Sequence, residues 1–91
     1  MIKVKNLKGT GGRAPSGYRS WLGYWEANTG QKVARCMRFP CNCVAGDLLV
    51  GAHVKKVGNF DMSWYIVPVC HATNNGADEF FVTGSLAPVN P

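Results

Sequence analysis

The sequence predicts one small α+β domain, and three features carry that prediction: a helical stretch from Ser20 to Thr29, two β-rich runs separated by Gly58-Asn59, and four cysteines placed around them. Cys36, Cys41 and Cys43 lie close together, and Cys70 stands alone before a short helical segment. Three neighbouring thiols and a fourth returned by a hairpin suggest a single node, either a metal site or a disulfide. A chain of 91 residues makes one domain, 1–91, with a small core that a metal or a cross-link commonly supplements.

Residues 2–7 alternate as a short strand, with Ile2, Val4 and Asn6 on one side and Lys3 and Lys5 on the other. Gly9 to Gly17, containing Gly11-Gly12, Pro15 and Ser16, reads as a loop. It lacks the Gly-Lys-Ser/Thr ending of a phosphate-cradling P-loop, so residues 1–19 read as a basic arm with a glycine-rich loop. The helix, 20–30, has Ser20 as its cap, Trp21 and Trp25 four residues apart with Leu22 beside them, and Gly30 as the left-handed terminator. Two tryptophans at that spacing read either as a stacking platform for bases or as core, and core is the favoured reading.

The cysteine cluster follows, and then 48–57 reads as a strand, Gly58-Asn59 as a turn, and 63–67 as a second strand ended by Pro68. Residues 70–75 read as a short helix closed by Gly76. Phe80-Phe81-Val82-Thr83 reads as an edge strand before a proline-rich tail, within a 77–91 terminal segment. No internal repeat is visible.

Charge is distributed unevenly. All ten Lys and Arg fall between Lys3 and Lys56, opposed there only by Glu26 and Asp47, whereas Asp61, Asp78 and Glu79 follow with no basic residue. This polarity fits an electrostatic footprint for phosphate or for an acidic protein surface. It equally fits a solvated surface that keeps a small domain in solution.

No stretch approaches the roughly 20 apolar residues of a membrane-spanning helix, and no membrane partner is expected. The start, Met1 to Lys8, alternates charge and hydrophobe and lacks the apolar centre of a signal peptide. A cytoplasmic, reducing setting is therefore expected, and it tilts the four cysteines towards zinc over two disulfides. The spacing Cys36-x4-Cys41-x-Cys43 is not the paired C-x2-C of the strongest zinc signatures.

A cysteine knuckle, a β-hairpin and a cysteine at a helix start form the order of a treble-clef zinc domain, here over 36–76. Gly51-Ala52-His53-Val54, then Trp64-Tyr65-Ile66-Val67-Pro68-Val69-Cys70 and Asn74-Asn75, resembles the HNH-type ββα-metal fold. It is most similar to small bacterial and phage relatives that carry a Ser-Trp-Leu helix ahead of the knuckle, here Ser20-Trp21-Leu22, and the resemblance covers 20–90. It implies His53 as general base, Asn74 at the helix position of a catalytic metal site, and a structural zinc held by Cys36, Cys41, Cys43 and Cys70.

Several positions depart from that pattern. Ala52 stands where a metal-binding side chain is expected and Tyr65 where an asparagine commonly lies, so a catalytic cation would need a ligand such as Asp47 or Asp61. Thr73 replaces the Cys or His expected three residues after Cys70, and Ser16-Gly17-Tyr18-Arg19 replaces a Cys-x-Cys-Gly. His53 also reads as a half-buried strand histidine bonded to backbone, and His71 as a solvent-facing residue of the last helix, the preferred reading, or as a substitute metal ligand. Without zinc, the fold would rest on packing of Trp21, Trp25, Trp64, Tyr65, Ile66 and Phe81.

Three functions follow as expectations. The preferred one is a non-catalytic nucleic-acid-binding domain using Lys3, Lys5, Lys8, Arg13, Arg19, Lys55 and Lys56 on phosphate. The alternatives are a phage or mobile-element module that blocks an acidic host protein, and an HNH-like nuclease using His53 with Asn74.

Overall fold

The computed structural model describes residues 1–7, 16–41, 48–58, 63–76 and 78–89. The chain runs β1 (Ile2–Asn6), α1 (Trp21–Thr29), β2 (Arg38–Phe39), β3 (Leu49–Lys56), β4 (Trp64–Cys70), α2 (His71–Gly76), β5 (Glu79–Val82) and β6 (Ala87–Val89). All six strands join one antiparallel sheet in the order β2-β5-β1-β3-β4-β6.

That order revises three expectations. β1 is a central strand, paired with β3 on one side and β5 on the other, so the basic segment is built into the fold. Val4 and Asn6 are buried, which is what holds it there. Phe80 and its neighbours form no edge either, because β5 lies between β1 and β2. The edges belong to two short strands, β2 and β6, which were read as knuckle and tail. Short edge strands offer little unpaired backbone to other chains.

β4 also runs through Pro68 to Cys70 rather than stopping at the proline. The Pro68 carbonyl accepts from the Met37 N–H at 2.8 Å, on the side of β4 away from β3. Because N and O of one strand residue point to the same side, the missing Pro68 donor faces that seam and costs no bond to β3.

Met37 closes the curl. Its N–H reaches Pro68 of β4, while its carbonyl accepts from the Thr83 N–H at 2.9 Å, just beyond β5. The sheet is thereby bridged back upon itself. Its inner face carries Val4, Val54, Val67, Val69, Phe80 and Val82, all buried. α2 packs against β3 and β4, and the Asn6 amide donates to the Asn74 carbonyl at 2.7 Å.

α1 covers part of the outer face, against β3, β4 and β6. Ser20 Oγ accepts from the Gly23 N–H at 3.0 Å, and Gly30, at φ 71°, donates its N–H to Glu26, so cap and terminator are where the sequence places them. Trp25 is fully buried and donates its indole N–H to the Ser85 carbonyl at 2.8 Å. The core reading of the helix tryptophans therefore holds for Trp25. Two other aromatics expected in the core are instead outside: Trp64 is 41% and Phe81 45% exposed.

The helix sits close because Gly51 has no side chain. A Cβ there would stand 2.6 Å from Trp21 Cβ and 2.9 Å from the Trp21 carbonyl carbon. Backbone cannot swing aside as a flexible side chain would, so α1 must lift. Gly51→Ala is expected to destabilise the domain by about 1–3 kcal/mol, the usual cost of overpacking. Urea denaturation of the two proteins measures it; equal midpoints would show that α1 does not depend on this approach.

Candidate functional site

Three places carry chemistry. The first is the cysteine seam beside Met37. Cys36 is buried, and its Sγ accepts from the Cys70 N–H at 3.3 Å. Burial pushes its thiol up from 9.0, opposed by backbone N–H groups of Arg38 and Cys70, with the nearby Cys41 thiol raising it further. Cys41 is exposed, and neither of the two is in a disulfide. Cys70, 1% exposed, is disulfide-bonded. A sulfur in a disulfide carries no proton to give, so the 3.1 Å contact with Thr73 is a hydrogen bond from the Thr73 hydroxyl to Cys70 Sγ.

Thr73 also accepts from Arg38 Nη1 at 3.2 Å. A threonine where a thiolate ligand was expected thus links β4, α2 and β2, through groups that are all close to the seam. Cys36, Cys41 and Cys70 are brought together here, as the node predicted. Cys43, the remaining expected ligand, lies outside the described residues. Among the described residues, no three His, Cys, Asp or Glu side chains are arranged to hold a metal ion.

The second place is an aromatic run under α1. Tyr18 meets Tyr24, Tyr24 meets Trp21, and Trp21 meets His53, all edge-on, with ring centroids 5.2, 5.4 and 4.3 Å apart. Trp64 lies 6.4 Å beyond His53. His53 is 4% exposed, and neither its Nδ1 nor the buried Trp21 Nε1 has a hydrogen-bond partner among the described residues. Desolvation lowers the His53 pKa below 6.5, favouring the neutral ring.

Asn74 lies elsewhere. His53 belongs to the outer face with Gly51, while α2, which carries Asn74, meets Asn6 of the inner face. The suspected cation ligands Asp47 and Asp61 lie outside the described residues. His71 is exposed, as expected, with its Nε2 2.7 Å from the Asn75 amide.

The third place is the part of the outer face that α1 leaves uncovered. Residues directly opposite in an antiparallel pair share a face, so the register builds two rows across neighbouring strands. Phe39 of β2 faces Phe81 of β5, which faces Lys3 of β1. In the next row Glu79 of β5 faces Lys5 of β1, which faces Lys55 of β3. Phe39 is 50% exposed, and Lys3 Nζ stands 3.4 Å from Glu79 and 5.9 Å from the Phe81 ring centre.

Lys55 and Lys56, expected to act together, occupy opposite faces because strand residues alternate. Lys56 shares the face of Val4 and Val54, with its ammonium 5.0 Å from the Tyr65 ring centre. Arg19 lies in the exposed bend before Ser20, while Lys8 and Arg13 lie outside the described residues. Sequence reasoning found the lysines but missed the exposed phenylalanines beside them, since only the cross-strand register shows that they meet.

The buried neutral histidine has a measurable consequence. A folded-state pKa below 6.5 means that the unfolded chain binds the proton more readily, so stability is intact above that value and falls as pH drops below it. The loss is at most about 1.4 kcal/mol per pH unit until the folded-state value is reached. Melting of wild type and His53→Gln from pH 7.5 to 5 checks this. The variant is expected to lose less stability on acidification; parallel profiles would contradict the assignment.

No family model matches the chain, and searches of curated proteins and of solved structures find no match either.

Proposed function

We propose that this chain is a non-catalytic, basic domain that binds nucleic acid through phosphate contacts, with Lys3, Lys5 and Lys55 as the central contacts. The observation that carries the reading is the Lys5–Lys55 pair, two like charges directly opposite in neighbouring strands. Such a pair weakens a sheet, and among the described residues neither lysine is in an ion pair, although Glu79, which pairs with Lys3, lies opposite Lys5. A phosphate between them relieves the repulsion and gains a charge-assisted hydrogen bond from each. Arg19, Lys8 and Arg13 extend the contacts in this reading, whereas Lys56 is left out. The expected setting is cytoplasmic.

A binding role is favoured over the HNH-like nuclease by the burial of His53. A general base must come within hydrogen-bond reach of the water it activates, and this ring lies beneath Trp21. The acidic-protein partner remains the competitor, since it would meet the same lysines. It predicts affinity for polyanionic polypeptide and none for oligonucleotides.

The test is the salt dependence of duplex and single-strand binding. Each phosphate contact removed is expected to flatten the slope of log K against log salt by about 0.7–0.9. Lys3→Ala, Lys5→Ala and Lys55→Ala are each expected to do so, equally for all base sequences, while Lys56→Ala leaves the slope unchanged. Absence of oligonucleotide binding at low salt would overturn the reading.

Zinc belongs to the same proposal in a reduced chain. A disulfide at Cys70 offers no thiolate, so a treble-clef site of Cys36, Cys41, Cys43 and Cys70 requires its reduction. The Cys70 N–H donated to Cys36 Sγ favours a thiolate but is outweighed by burial, so in this reading the metal itself must draw off the Cys36 proton. Protein purified under reducing conditions is expected to hold about one zinc per chain and to lose it in Cys70→Ser, with a loss of stability in either redox state. Elemental analysis showing no zinc, with unaltered melting of Cys70→Ser, would contradict it.

A further inference from the structure

Resting on the nucleic-acid reading, we propose that the uncovered outer face is a platform for single-stranded nucleic acid, on which bases stack against Phe39, Phe81 and Trp64 while phosphates track Lys3, Lys5 and Lys55. Both phenylalanines are about half exposed although the sheet has an interior that takes up Phe80 and Val82, the chain neighbours of Phe81 in β5. They are also directly opposite one another, and the next residue across is Lys3. An aromatic pair left in water beside a cation is unfavourable for the free protein and suits a ligand with flat apolar faces and negative charge.

Trp64 borders the other side of the same basic strip. It alternates with Ile66, which pairs with His53, while Lys55 alternates with His53, so Trp64 and Lys55 share the outer face at neighbouring strand positions. The strip therefore runs from two phenylalanines, across three lysines on β1 and β3, to an indole that is 41% exposed. Strands lie about 4.8 Å apart, so aromatic rings flank the lysines across a width of a few nucleotides.

This arrangement discriminates between strand states. A duplex presents its phosphates outside and its base faces stacked within, where Phe39 and Phe81 cannot reach them. A single strand exposes both, and stacking on aromatic side chains is tolerant of sequence because every base has a π-face. The lysines alone would serve either form; the phenylalanines are of use only to the single strand. Glu79 is the acidic residue of the strip, and its 3.4 Å pair with Lys3 is solvent-exposed, so a phosphate can take its place.

The experiment is fluorescence anisotropy with labelled twelve-residue oligothymidylate, the matching oligouridylate and the same thymidylate annealed to its complement, at low and at moderate salt. Wild type is expected to bind both single strands more tightly than the duplex. Phe39→Ala and Phe81→Ala are each expected to weaken single-strand binding about tenfold and to leave duplex binding unchanged. Phe81→Tyr, which keeps a ring, should restore it. Melting curves of each variant establish that the exposed substitutions leave the fold intact, and Lys56→Ala serves as the control that changes neither.

Equal affinity for single strand and duplex, with both alanine variants binding as wild type, would overturn the platform while leaving phosphate binding in place. Binding of neither form would overturn both. Capture of polyglutamate with no oligonucleotide bound would overturn both as well, and would assign the strip to an acidic protein.

Discussion

The closure at Met37 is the constraint on which the remaining structure depends. One residue's backbone joins the rim of β4 to the end of β5, and so converts a six-stranded ribbon into a curl with an inside. Without those two bonds the inner face of Val4, Val54, Val67 and Phe80 would be half of a sandwich lacking its other half. With them, the inner face closes on itself with the six-residue helix α2 beside it, while α1 packs on the outer face. Cys36, Cys41 and Cys70 lie at the same seam, where distant segments must be held, and a small domain gains most from cross-linking or metal binding that ties such segments together.

Closing the sheet also decides which surface remains. The interior takes one set of alternating side chains from β1, β3 and β5, and α1 takes part of the other set through the bare backbone of Gly51 and the ring of His53. What neither covers is the stretch where β1 and β5 meet the end of β3. Lys3, Lys5, Phe39 and Phe81 are therefore exposed, and Lys55 partly so, as a consequence of topology. The same topology separates Lys55 from Lys56, so two basic residues adjacent in sequence meet different surroundings, one beside Lys5 and the other over Tyr65.

Local features of the fold were legible in the sequence, and non-local ones were not. Ser20 and Gly30 marked α1 because capping is decided within a turn, and the hairpin of β3 and β4 was marked by β-branched runs around Gly58. Pairing partners far apart in the chain leave no such mark. Phe80 read as an edge strand, Ala87 as a tail and β1 as an arm because nothing near them states that β5 pairs with β1. Pro68 misled for a related reason, since its harmlessness depends on a seam formed by Met37, 31 residues earlier. The lysines of the candidate site were visible as charge, and their grouping with Phe39 and Phe81 required the register.

The central claim is that the uncovered outer face meets nucleic acid, and mapping of backbone amide shifts during titration with a short single strand tests it most directly. The account predicts that the largest changes cluster at Lys3, Lys5, Phe39, Lys55 and Phe81, with α2 and the inner-face residues unmoved. Changes centred on α2, or on His53 and Asn74 with the lysine rows silent, would contradict it.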